Sequence, residues 1–304
     1  MKERELVIIG GGPAGLSAAL AASKAGVKDI LLLERDQYLG GILNQCIHPG
    51  FGLHKYKEDL TGPEFADRLI GETKNLSGLE VSLKSFVVKL TRERIVTYLK
   101  PGLMEEVKAR ALVLATGCRE RTREMVHIAG TRPAGIYPAG LAQKLINIEG
   151  LLPGREVVII GSGDIGLIMA RRFTLEGAKV KAVIEIQKES RGLVRNVVQC
   201  LEDFGIPLYL HHRVALVHGK DRVEKVTVED LDSGERFDLT CDTVLVSVGL
   251  IPEGELLEMA GLTASSPGVF VCGNALKVYD LVDNVAGDSE RAGLAAAEHL
   301  RDSK

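Results

Sequence analysis

Two uninterrupted apolar runs, Leu6-Val7-Ile8-Ile9 and Val157-Val158-Ile159-Ile160, each stop at a cluster of glycines and give way to an alanine-rich or amphipathic stretch. Four apolar residues without polar alternation describe a strand buried on both faces, as in parallel sheets covered by other layers. The next apolar runs, Ile30-Leu31-Leu32-Leu33 and Val180-Lys181-Ala182-Val183-Ile184, close a βαβ unit after each. A further buried strand is predicted over 109–115, ending at Thr116-Gly117, and a helix over 62–75. Alternation over 79–90 and 95–99 predicts a small antiparallel excursion. In the second half the pattern predicts a helix over 192–204 and strands near 208–210, 223–228 and 243–248. The chain then returns to a short strand, Val269-Phe270-Val271, and a terminal helix from about Asn284 to Arg301.

The glycine clusters supply the chemistry. Gly10-Gly11-Gly12-Pro13-Ala14-Gly15 and Gly161-Ser162-Gly163-Asp164-Ile165-Gly166 are both GxGxxG, each placed between a strand and a helix. In that setting the first glycine makes a tight turn, the second admits a pyrophosphate to the backbone, and the third lets helix pack on strand; the helix N-terminus adds partial positive charge. Glu34 and Glu185 end the following apolar runs, each 24 residues beyond the first glycine of its fingerprint, where a carboxylate grips ribose hydroxyls. A single copy is also compatible with a glycine-rich turn of another α/β protein; two matched copies point to two dinucleotides.

The chain is therefore expected to be α/β, with two Rossmann-like three-layer dinucleotide-binding domains, one inserted in the other. The first comprises 1–118 and 249–304, and the second 119–248, with no Pro- or Ser-rich linker between them.

Composition narrows the partners. A net charge of −3 and 45% hydrophobic residues describe an ordinary globular protein with no polyanion footprint, so no nucleic acid is expected. No apolar run reaches membrane-span length, so no direct membrane insertion is expected; the apolar N-terminus contains the first fingerprint and reads as mature sequence, implying a cytoplasmic protein. The five cysteines, at 46, 118, 200, 241 and 272, show neither CxxC nor metal-ligand spacing, so no metal site is expected. The cluster Arg119-Glu120-Arg121-Thr122-Arg123 reads either as an exposed hinge face or as a docking or inter-domain surface.

On these motifs the chain resembles the two-dinucleotide-domain flavoprotein oxidoreductases, the superfamily that includes thioredoxin reductase and the pyridine nucleotide-disulfide reductases. The resemblance implies that Gly10, Gly12, Pro13, Ala14 and Gly15, with Glu34, Arg35 and Gly41, hold the ADP half of FAD. Ala115-Thr116-Gly117 matches a turn beside the flavin domain's exit, and 268–274 matches the third FAD motif. That motif here ends in Gly273-Asn274 where the family normally has Gly-Asp; an amide still offers hydrogen bonds to a ribityl hydroxyl or phosphate oxygen. The helix that follows would present N–H groups near Asn284 and Val285 to the flavin. Gly161, Gly163, Asp164, Ile165, Gly166, Glu185 and Gly249 would hold NAD(P)H.

Departures from the superfamily are informative. One cysteine, Cys46, stands where the larger reductases have two, and Arg132-Pro133-Ala134-Gly135-Ile136-Tyr137-Pro138-Ala139-Gly140 stands where thioredoxin reductase has its CxxC. The expectation is an FAD-dependent NAD(P)H oxidoreductase lacking a redox-active disulfide. The runs 45–52, 117–123, 132–135 and 280–283 resemble a bacterial and archaeal subgroup of FAD/NAD subunits. These accompany a second flavoprotein like glycerol-3-phosphate dehydrogenase, with relatives among opine, sarcosine and proline oxidase complexes.

The expected function is hydride transfer between nicotinamide and flavin within a multi-subunit dehydrogenase, whose other members are an iron–sulfur protein and a second flavoprotein subunit. The alternatives are a stand-alone NADH oxidase or reductase of a small acceptor, and an FAD-binding structural subunit without turnover. Glu185 favours NADH over NADPH, because a 2′-phosphate beside a carboxylate is repelled. Cys46 and His48 are the catalytic candidates, placed against the flavin by the resemblance; the plainer reading is a buried thiol in a glycine-rich loop.

Overall fold

Why each apolar run is buried on both faces is visible in how successive residues part company. In the computed structural model, which describes residues 1–303, Leu6 and Ile8 face a core shared with helices, whereas Val7 and Ile9 face a second core on the other side of the sheet. The chain forms two units, one made of Met1–Arg119 together with the segment from Ile251 onward, the other of Glu120–Leu250.

In the first unit, Leu79–Ser82, Ile30–Leu33, Lys2–Ile9 and Leu103–Leu114 lie side by side and parallel. Leu103–Leu114 is long enough to pair twice along its other edge. Its first half meets Ile95–Lys100 antiparallel and its last three residues meet Val269–Val271 parallel; Phe86–Leu90 completes the sheet. The antiparallel excursion therefore runs over 86–108, and the stretch 79–82, expected within it, instead extends the parallel sheet beside Ile30–Leu33. Its Leu79 and Val81 are bonded in register with Ile30 and Leu32, which fixes that edge.

Helices Pro13–Lys24, Gly62–Thr73 and Val282–Asp302 cover one face. Gly62–Thr73 starts at a capping box in which Thr61 and Glu64 satisfy each other's backbone N–H groups. Pro13–Lys24 and Val282–Asp302 approach so closely that a Cβ on Gly293 would sit 2.3 Å from the Ala18 carbonyl.

The second unit repeats the plan. Ile136–Pro138, Thr243–Val246, Glu156–Ile160, Lys179–Glu185 and Leu208–Leu210 form an all-parallel sheet. Helices Ala139–Asn147, Asp164–Leu175 and Val194–Cys200 pack on one face with Val157, Ile159, Val183 and Leu245. A second sheet packs on the other face with Val158, Ala182, Ile184 and Val244. Its strands His212–Gly219, Val223–Asp230 and Arg236–Thr240 are antiparallel, with Ala129–Gly130 added in parallel. Two of these strands, His212–Gly219 and Arg236–Thr240, are not among those expected from the sequence, although Arg236-Phe237-Asp238-Leu239-Thr240 alternates polar and apolar residues as a half-buried strand does.

Among the described residues no helix is long and apolar enough to cross a membrane.

Candidate functional site

Each fingerprint is built around a glycine that no other residue can replace. Gly10 has φ +110° and an added Cβ would lie 2.3 Å from the Ala115 carbonyl; Gly161 has φ +96° and its Cβ would lie 2.0 Å from the Ser247 carbonyl. The third glycines are equally confined, since a Cβ on Gly15 or Gly166 would strike the carbonyl of Gly10 at 1.8 Å or of Gly161 at 2.5 Å. The middle-position glycines of the GxG pairs differ. A Cβ on Gly12 would meet only the Gly41 Cα, at 3.8 Å, and one on Gly163 would meet nothing within 4 Å. The backbone is thus locked on its protein side and bare on the side where a helix N-terminus offers unspent N–H groups. Pro13 opens the first helix without an N–H, so Ala14 and Gly15 begin the donor set there.

The two acidic residues are held alike. Glu34 is 6% exposed, and its Oε2 accepts the Gly11 N–H at 2.6 Å while Oε1 accepts the Asp36 N–H at 2.8 Å. Glu185 is 3% exposed, and its Oε2 accepts the Ser162 N–H at 2.8 Å while Oε1 accepts the Gln187 N–H at 2.9 Å. A glycine in the loop after each then bonds back to the same fingerprint residue: Gly40 N–H to the Gly11 carbonyl and Gly192 N–H to the Ser162 carbonyl, both 2.9 Å. Each carboxylate is fixed on the strand end with lone pairs left for hydroxyl donors. Sequence reasoning found the acidic residues but missed Ser162, Ser247, Gly40 and Gly192. The recurrence of a glycine six or seven residues beyond each glutamate was the available signal.

Several expected contacts take a different form. The Asp164 carboxylate faces its own domain, Oδ1 accepting the Leu193 N–H at 2.8 Å and the Asn196 side-chain amide at 2.7 Å, so only the backbone of Asp164 faces the bare side of the turn. These bonds fix the start of the helix expected over 192–204, which begins at Val194, ends at Cys200 and is followed by a 3-10 turn over Glu202–Phe204. Ile165 packs against the helical core. Arg35 is exposed. The terminal helix begins at Val282, two residues earlier than expected, and the Asn284 and Val285 N–H groups already donate to the Leu281 carbonyl at 3.1 and 3.3 Å. Val285 is a core residue. Gly273 is pressed against the first fingerprint helix, a Cβ there falling 2.8 Å from that of Ala14. The Asn274 side chain spends its oxygen on the Tyr279 N–H at 3.0 Å and directs its NH2 to the Cys118 sulfur at 3.5 Å.

Asp283, to which the sequence pattern assigns no role, accepts the N–H groups of Gly52, His54 and Lys55 at 3.2, 3.2 and 2.7 Å. With the Lys55–Glu290 ion pair it ties the loop after Cys46 to the terminal helix. Cys46 is 6% exposed beneath the start of Gly62–Thr73, and burial pushes its thiol up to about 12. Its Sγ lies 3.3 Å from the Ile42 carbonyl. His48 directs Nδ1 to the Pro49 carbonyl at 3.0 Å and its ring lies 5.1 Å from that of Phe51. A thiol held neutral is no nucleophile at physiological pH.

The arginine cluster separates into three environments. Arg119 pairs with Glu253 and Glu255. Arg121 donates its backbone N–H to the Gly249 carbonyl at 3.0 Å. Arg123 is buried, its guanidinium donating to the Ile128, Ala129 and Thr131 carbonyls. Between them, Glu120 accepts the N–H groups of Gly140 and Leu141 at 2.7 and 3.1 Å, capping the helix Ala139–Asn147 that Pro138 cannot cap, and burial raises its pKa.

Comparison with known proteins matches this arrangement. Residues 4–288 fit the family model described as pyridine nucleotide-disulphide oxidoreductase. Hydrogen cyanide synthase subunit HcnB of Pseudomonas protegens is 27% identical over 84% of this chain and 58% of its own length. An opine oxidase subunit of Agrobacterium tumefaciens is also 27% identical, over 84% of this chain and 54% of its own. The chain thus spans little more than half the length of either. Thioredoxin reductase of Lactococcus lactis shares the fold, with a TM-score of 0.77 at 20% identity over 98% of this chain and 99% of that one.

Proposed function

Because this chain belongs to the pyridine nucleotide-disulphide oxidoreductase family, we propose that it binds FAD on its first fingerprint and NAD(H) on its second, and serves as the electron-transfer subunit of a multi-subunit dehydrogenase. When bound, the two cofactors supply the chemistry, a hydride passed between nicotinamide and flavin. The observation that supports this most strongly is the repeated device of fingerprint, buried carboxylate and returning glycine, once in each unit. Bare backbone at Gly12 and Gly163 is what a pyrophosphate needs, while the glycines around them leave no room for side chains.

In this reading the FAD-binding domain is 1–118 with 249–304 and the nucleotide domain is 119–248. Gly10, Gly12, Ala14, Gly15, Glu34 and Gly41 hold FAD, with Ala115-Thr116-Gly117 and Gly273-Asn274 shaping its pocket. Gly161, Gly163, Gly166, Glu185 and Gly249 hold NADH in preference to NADPH. The five cysteines include no CxxC pair and burial holds the Cys46 thiol protonated, which supports electron transfer without a redox-active disulfide; the location proposed is cytoplasmic. Two relatives named as subunits, HcnB and the opine oxidase component, support assembly with partner subunits; the partners proposed for this chain are a second flavoprotein subunit and an iron–sulfur protein.

The test is anaerobic addition of NADH to the purified protein. Bleaching of the flavin band at about 450 nm, with slow reoxidation by air, is expected. A flavin left oxidised by both NADH and NADPH overturns the reading, and rapid oxygen consumption replaces it with a stand-alone oxidase.

A further inference from the structure

The two fingerprints differ at one position that the shared plan does not explain. Where the first has Gly11, the second has Ser162, and Ser162 is wholly buried. At Gly11 a side chain would be crowded, since a Cβ would fall 2.5 Å from Leu39 Cδ2 and 3.0 Å from Glu34 Oε2 and those side chains would have to shift. At Ser162 the side chain is accommodated and put to use. Its Oγ donates to Glu185 Oε2 at 2.7 Å and accepts the Arg191 N–H at 3.2 Å. Its carbonyl accepts the Gly192 N–H at 2.9 Å and the Ser190 hydroxyl at 3.3 Å.

Glu185 is therefore held by three protein donors, against two for Glu34. The segment beyond Glu185 is also fixed at both ends. Gln187 is bonded to the Glu185 carboxylate and to the His211 N–H, and 190–193 is bonded to Ser162 and Asp164. The hydroxyl of Ser162 joins the two ends, because the same oxygen touches the carboxylate and the returning loop.

We infer that Ser162 is a positioning residue for nicotinamide nucleotide selection: its hydroxyl fixes the Glu185 carboxylate and the 190–192 loop in one arrangement before the ribose arrives. This deepens the reading that the second fingerprint takes NAD(H), and rests on it. A carboxylate with a fixed direction accepts a ribose 2′-hydroxyl at little ordering cost and cannot turn away from a 2′-phosphate. Without the hydroxyl, the carboxylate keeps only backbone donors and gains freedom to swing. NADH then loses a preorganised acceptor, while NADPH escapes part of the repulsion. The substrate chemistry selected is a dinucleotide with an unphosphorylated adenosine ribose.

The experiment compares wild type with Ser162→Ala, which keeps the Cβ and removes only the hydroxyl, in rapid-mixing flavin reduction by NADH and by NADPH. We expect the half-saturating NADH concentration to rise about fivefold, the limiting rate of flavin reduction to stay unchanged, and the preference for NADH over NADPH to contract. The FAD spectrum should be unaltered, because Ser162 lies outside the first unit. A merely structural role would lower the melting temperature and weaken both nucleotides equally. Ser162→Gly, which installs the residue of the first fingerprint, gives the same comparison if the alanine variant does not fold. Unchanged NADH half-saturation and unchanged preference, in a wild type that NADH does reduce, overturn this inference alone. A wild type that neither binds NADH in equilibrium dialysis nor is reduced by it overturns the proposed function, and this inference with it.

Discussion

Glu34 Oε2 lies 2.6 Å from the N–H of Gly11, the residue between the first two glycines of the N-terminal GxGxxG. The bond is buried and charge-assisted, so it fixes the carboxylate and the turn together. Glu34→Ala removes both the proposed ribose acceptor and the partner of a buried N–H. Loss of such a bond is worth about 1.5–3 kcal/mol, which predicts FAD bound roughly tenfold to a hundredfold more weakly. Titration of the apoprotein with FAD measures it, and full flavin retention through dilute gel filtration would speak against the assignment.

Gly161→Ala and Gly163→Ala should fail in different ways. The first forces a Cβ into the Ser247 carbonyl at a φ of +96°, and misfolded or insoluble protein is expected. The second adds a methyl into open space, so the melting temperature should hold while half-saturating NADH rises by about tenfold or more. Equal behaviour of the two variants in thermal melts would contradict this account of the turn.

Cys46, Cys241 and Cys272 are each pushed up to about 12 by burial, from an ordinary 9.0. A group whose pKa is raised on folding stabilises below its unfolded value and loses that contribution as pH rises toward the folded one. Stability should therefore be flat to about pH 9 and then fall by on the order of 1 kcal/mol per thiol per pH unit. Melting temperatures at pH 7, 9 and 10.5 test this. Slow reaction of these three cysteines with a thiol reagent at pH 8, against faster labelling of the partly exposed Cys118, and unimpaired flavin reduction in Cys46→Ser are expected as well.

Asp283→Ala should release the loop at 52–55, which loses the acceptor that three of its N–H groups share. Trypsin cleavage after Lys55 or Lys57 is expected to accelerate, with a melting temperature lower by a few degrees for a loss of about 1–2 kcal/mol. An unchanged cleavage rate would show that the Lys55–Glu290 pair holds the loop unaided.

The helix boundaries show where reading along the chain stops working. Thr61 and Glu64 announce the start of Gly62–Thr73 within four residues, and the structure begins the helix there. By contrast, nothing near Leu193 announces that its N–H belongs to Asp164, 29 positions earlier, so the local pattern overextends the helix at 194. Asn274 looks like a cofactor ligand because its motif is local. Its engagement with Tyr279 and Cys118 depends on where distant turns come to rest.

What the sequence determined by itself were the features encoded in short-range pattern: two βαβ units, two glycine turns, and a carboxylate at the end of the second strand of each. Apolar periodicity and the steric demands of glycine act over a few residues, so they are written in consecutive letters. Only the tertiary structure decided which polar atoms those residues spend on the protein. It placed Glu185 on Ser162, Asp164 on the loop at 193–196, and Asp283 on the loop at 52–55. Buried donors and acceptors must be satisfied by whatever the fold brings within about 3 Å, and that proximity is fixed by packing between elements far apart in the chain.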